Sequence, residues 1–184
     1  MPTIKPKSQL AWSDVKARIA DFDRAGLMNL VQDLYSASKD NQAFLHARIT
    51  LGGDVLKPYR STIARWLRPD VLKNQDTSVA KAKKAISNYK KAIDDPEGLA
   101  DLMVFYCEQA AGFSNDIGFQ DEGYFGALVR MFEQALKVAN TLPTERRHSS
   151  IVRLDQVRRV SHNFGYGVGD DMDDLLSEYG IGKI

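Results

Sequence analysis

Three groups of residues in this chain have the types and spacing that chemistry requires. The first is Arg158, Arg159 and His162, with Arg146, Arg147, His148 and Arg153 upstream. An imidazole titrates near neutrality and can move a proton. A guanidinium one helical turn away can hold a phosphate. Arg158 and His162 are therefore the candidate catalytic pair of a ribonuclease-like site. The second group is Asp170, Asp171, Asp173 and Asp174. On a helix Asp170 shares a face with Asp173 and Asp174, so Asp170, Asp171 and Asp174 are candidate ligands for a hard, oxygen-bound cation such as Mg²⁺. The third is a run of lysines, of which Lys81, Lys84 and Lys91 could track a phosphate backbone while Trp66 or Tyr89 stacks on bases.

Each group also has a plainer reading. A histidine at a helix end meets the C-terminal dipole favourably, and acids in a first turn complement the N-terminal one at about 0.3–1 kcal/mol each. A lysine run is usually a solvated face, here one that could complement the acidic stretch after it. Trp66 and Tyr89 fall on apolar stripes, which places them in a core. Helical ribonucleases of the HEPN type carry an Arg followed by a His after four to six residues. Here only three residues separate Arg158 from His162, and two separate Arg159 from it, so the spacing departs from that pattern. The run Asn163-Phe164-Gly165-Tyr166-Gly167-Val168-Gly169 invites comparison with a phosphate-cradling loop. It lacks a preceding strand and a following Lys-Ser/Thr, and the helix after it opens with acids that repel phosphate. Three dispersed histidines and one cysteine give no zinc spacing. No cofactor is expected.

Composition excludes other classes. The 184 residues are 43% hydrophobic and 27% charged, the proportions of an ordinary globular chain. Cys107 is the only cysteine, so no intramolecular disulfide forms, which suits a reducing compartment. It sits in an apolar helix, and burial is its expected fate. The first residues have lysines without an apolar signal core, and no apolar run approaches a membrane span. A cytoplasmic protein is expected. The net charge is +1, yet unevenly spread. Ten bases face two acids between Lys57 and Lys91, and nine acids face one arginine between Asp94 and Glu133.

The elements that must position these groups are all helical. Leu99, Leu102, Met103, Tyr106, Ala110, Phe113 and Ile117 recur at spacings of three and four, behind an Asp95 cap and Pro96 at the first helical position. Apolar on several faces, this helix should be the central post. A polar break leads to a second stripe, Phe125, Leu128, Phe132, Ala135, Leu136 and Ala139, which makes an antiparallel hairpin. Before it, the spacing predicts helices capped by Ser13, Asp23, Asp40 and Asp54, and an amphipathic helix over Val79 to Ile93. After it come a helix with Ile151, Leu154, Val157 and Val160, and a last one holding Met172, Leu175 and Leu176. Residues 1–12 read as a loose arm and 13–184 as one helical domain, with a subdivision near 68–78 left open. The fold class is all-α: an irregular bundle of antiparallel helix pairs with repeat-like, tetratricopeptide-like character, although no second copy appears at the period such repeats need.

The order Asp33-Leu34-Tyr35, Phe44-Leu45, Pro58-Tyr59, Ala82-Lys83-Lys84-Ala85-Ile86 and Asp95-Pro96-Glu97-Gly98-Leu99-Ala100-Asp101 resembles an uncharacterised bacterial all-helical family, a domain of unknown function. The resemblance runs from about Leu27 to Tyr179 and rests on caps and core positions, so it implies a helical fold and no reaction. The function expected is that of a non-enzymatic scaffold for a protein partner, self or other. The alternative is a nucleic-acid-binding protein or ribonuclease using the basic segment with Arg158 and His162.

Overall fold

Helix signals dominate the chain, and helices are what form. A computed structural model describes residues 10–181. Among the described residues there are nine helices and no strand: α1 (Trp12–Ile19), α2 (Arg24–Ala37), α3 (Lys39–Arg48), α4 (Lys57–Leu67), α5 (Val79–Ala92), α6 (Pro96–Ile117), α7 (Glu122–Ala139), α8 (Thr144–Ser161) and α9 (Val168–Glu178). Most of the arm expected over residues 1–12 lies outside the described residues.

The caps explain most boundaries. Asp23 accepts the Gly26 amide at 2.7 Å, Asp95 the Glu97 amide at 3.0 Å and Asp121 the Tyr124 amide at 2.6 Å. Each satisfies a donor that has no partner within its helix. Three starts differ from the expectation. Helix α1 begins one residue before Ser13, with the Asp14 carboxylate accepting the Ala11 amide at 2.7 Å. Helix α3 begins at Lys39, and Ser38 rather than Asp40 takes the Asn41 amide. Asp54 accepts the amides of Leu56 and Lys57, organising a turn just ahead of α4. In each case a neighbouring short polar side chain could do the same job, which is why spacing alone leaves the boundary loose.

The chain divides into two compact units, residues up to Gln42 and residues from Ala43 on. The second unit is built on α6. Twelve of its residues are buried, and it packs against α4, α5, α7 and α8. Leu102, Val104, Tyr106 and Cys107 are sealed within this contact. Phe125, Leu128, Phe132 and Leu136 of α7 close one side, and Leu154 of α8 with Met172 of α9 another. Tyr89 donates its hydroxyl to Asp95 at 2.8 Å and crosses beneath Gly98, where a Cβ would stand 2.1 Å from that hydroxyl. Only glycine admits this approach, and it locks α5 to the start of α6. Farther along, the Tyr124 hydroxyl donates to the Leu67 carbonyl at 2.7 Å, satisfying an open acceptor at the end of α4.

The first unit is different in kind. Helices α1 and α2 contain no buried residue. Their apolar positions recur as the periodicity predicts, but within residues 10–42 they enclose no core.

Candidate functional site

Arg158 is buried near the end of α8, and its surroundings decide what it can do. Its Nε donates to Asp155 at 2.9 Å and one terminal nitrogen donates to Asp173 of α9 at 2.8 Å. The same nitrogen lies 3.4 Å from His162 Nε2. Burial works against its positive charge, but the two carboxylates outweigh that effect and hold it protonated. Arg159 donates to the other oxygen of Asp155 at 2.7 Å. The guanidinium expected to grip a phosphate is thus spent on two carboxylates inside the fold. A phosphate would have to displace both, at the cost of exposing a buried charge.

His162 stands at the C-terminal end of α8, 3.5 Å from Asp173 and 3.8 Å from Asp170. The glycine run after it serves packing. Tyr166 takes left-handed backbone (φ 63°) to reverse the chain, and Gly169 brings α9 directly onto the imidazole. A Cβ there would sit 2.5 Å from His162 Nδ1. Phe164 stacks on Phe125 with ring centroids 5.2 Å apart, and Gln120 accepts the Gly165 amide at 3.1 Å. These contacts hold the loop against the turn that joins α6 and α7. The Asn163 and Phe164 amides donate to the Val160 and Ser161 carbonyls, so the first three amides of the run already have acceptors within the protein.

The four aspartates do not act together. Asp173 is the partner of Arg158, while Asp170 is exposed beside His162. Asp171 and Asp174 line a shallow recess of about 250 Å³ with Arg130, Glu133 and Glu178. Helical spacing put Asp170 and Asp174 one turn apart, but α9 turns them to different neighbours. Among the described residues no three His, Cys, Asp or Glu side chains are arranged to hold a metal ion.

Helix α5 carries Lys81, Lys84 and Lys91 exposed, with five lysines and no acid along its length. Two parts of the nucleic-acid reading change. Tyr89 is buried, and Trp66 already has a cation near its ring, the Lys81 ammonium 3.7 Å from the centroid and the Arg65 guanidinium 4.5 Å. The acids of α6, moreover, are matched largely by arginines of other helices. Arg60 donates to Asp101 at 2.6 Å, and Arg153 donates to Asp101 at 2.8 Å and bidentately to Glu108 at 2.7 Å. Arg68 pairs with Asp116, and Arg146 with Glu97. The bidentate Arg153 pair and the shared Asp101 tie α4, α6 and α8 into one half-buried network.

Several of these partners escaped the sequence reading. Asp155 had a local signal, because it stands three and four residues before Arg158 and Arg159. Asp101, Glu108, Arg60 and Arg153 had none, since their pairing spans at least 41 residues of chain.

No protein-family model matches the sequence, no curated protein is significantly similar to it, and no solved structure matches it. Among the described residues no helix is long and apolar enough to cross a membrane.

Proposed function

We propose that the protein is a non-enzymatic helical scaffold that engages a protein partner through α1 and α2. The carrying observation is that these two helices repeat apolar residues at helical spacing yet bury none of them. Large apolar patches of this kind, rimmed by polar residues, mark interaction surfaces. The commitment of Arg158 to Asp155 and Asp173 supports the same reading, because it removes the phosphate-binding half of the ribonuclease candidate. A photo-crosslinking residue placed at Tyr35 should give discrete protein adducts, and one placed at Gln134 on α7 should give none. RNA cleavage by the purified chain, lost in the Arg158→Ala/His162→Ala variant with the fold retained, would overturn the proposal.

One observation favours a second reading. The five lysines of α5, on a helix that carries no acid, give it a cationic character suited to a phosphate backbone. Single-stranded RNA should then bind at low salt, weaken steeply as salt rises, and lose affinity in the Lys81→Glu/Lys84→Glu/Lys91→Glu variant. No binding at low salt would end this reading.

A further inference from the structure

We infer that the partner of α1 and α2 is a second copy of this chain, an assignment that rests on the interaction reading above. Nine large apolar side chains are exposed between Leu10 and Tyr35, Trp12 at 68% and Met28 at 61% among them. Trp12 and Val15 share a face of α1, and Leu27, Val31 and Leu34 share a face of α2, so the exposure is organised in stripes. Three of the nine are aromatic, each able to bury about 150–250 Å², and with six aliphatic side chains beside them this surface amounts to on the order of 800 Å² per copy, one partner's share of a stable interface.

Two considerations select a second copy. The same stripe from a second chain, related by a two-fold axis, is self-complementary by construction. Charge agrees, because residues 1–42 hold five acids and six bases, so two copies approach without strong repulsion. That balance also argues against an anionic lipid surface, which selects helices with an excess of Lys and Arg on the polar face. Arg24 and Asp33 are the only charges on α2.

The test is sedimentation of the full chain across a concentration series, together with hydrogen exchange along α2. The expected result is a species of twice the 20.6 kDa chain mass that dissociates on dilution. In Val31→Glu/Leu34→Glu it should sediment as monomer, with helical content and unfolding of the α4–α9 body unchanged. Neither position is among the residues of the hydrophobic core, and the single Tyr35→Lys variant provides a milder second probe. A monomer with fast exchange along α2 would overturn the second copy and leave the interaction reading standing. A monomer with α2 strongly protected would mean that the chain covers its own stripe, overturning both. A dimer indifferent to the α2 variants would place the interface elsewhere and overturn the inference.

Discussion

Gly169 and His162 meet so closely that a Cβ on residue 169 would lie 2.8 Å from the His162 Cα as well as 2.5 Å from its ring nitrogen. The backbone contact matters more than the side-chain one, because a Cα cannot rotate away. Gly169→Ala should therefore push α9 off α8 and lower stability by about 1–3 kcal/mol, even though alanine is the better helix former by about 1 kcal/mol. Urea unfolding measures the difference. His162→Ala in the same chain should recover part of the loss and not all of it. An unchanged midpoint for Gly169→Ala would show that the two helices do not rest on each other here.

A second close approach predicts a coupled pair. Gly98→Ala would drive a methyl into the Tyr89 hydroxyl and to 2.6 Å from Asp95. The variant should be destabilised by about 1–3 kcal/mol. Tyr89→Phe removes the hydroxyl, so the double variant should be more stable than the sum of its two losses implies. Strict additivity in the cycle would contradict the lock between α5 and α6.

Removing Asp155 should damage the fold before it damages any activity. Its carboxylate holds both Arg158 and Arg159, and Arg158 keeps only 8% of its side chain in contact with solvent. Asp155→Ala leaves that buried charge to Asp173 alone, which should cost part of the roughly 3–5 kcal/mol typical of breaking a buried ion pair. Thermal unfolding reads the loss. Arg158→Met/Asp155→Leu, which removes both charges and keeps the bulk, should recover much of it, whereas a purely catalytic role for Arg158 predicts no stability change in either variant.

Acid should loosen the α4–α6–α8 network first at Asp101. Burial raises its pKa, but hydrogen bonds from Arg60 and Arg153 outweigh burial and hold the folded value below the ordinary one. A depressed folded pKa contributes stability that is fully present above the unfolded value of about 3.9. That contribution disappears as pH falls through the lower folded value. Asp101→Asn should be less stable at neutral pH and show a shallower loss between pH 4 and pH 2 in urea titrations. Parallel acid profiles for the two proteins would remove Asp101 from the account.

Cys107 offers a clock for unfolding. Burial, with Glu108 adding to it, pushes the thiol well above its ordinary pKa, so the thiolate is scarce and shielded. An aromatic disulfide reagent should label the native protein only at the rate at which α6 opens, and immediately in denaturant. Prompt stoichiometric labelling without denaturant would contradict the position of α6 at the centre of the body.

Most of the architecture is legible along the chain because helices depend on nearest neighbours. Asp23 and Asp95 act as caps, Pro58 and Pro96 sit in first turns, and the stripe of α6 buries as its spacing predicts. These are contacts between residues three or four apart, which periodicity encodes. The candidate site was legible only in part. Its members Arg158, His162 and Asp170 could be named from type and spacing, but their roles could not, because each role depends on a partner from another element.

Tertiary structure decided what sequence spacing left open. It turned Asp173 toward Arg158 while turning Asp171 and Asp174 toward α7, although all lie on one helical segment. It matched the acids of α6 largely with arginines from α4 and α8 rather than with the lysines of α5, the neighbours in sequence. Planar, many-donor guanidiniums reach two carboxylates at once in a half-buried setting, where lysine keeps its hydration and stays at the surface. The sequence by itself determined that this protein is a set of helices and where the apolar face of each runs. Which faces close on one another, and which are left for a partner, followed only from packing, since burial is a property of the assembled elements and not of any one of them.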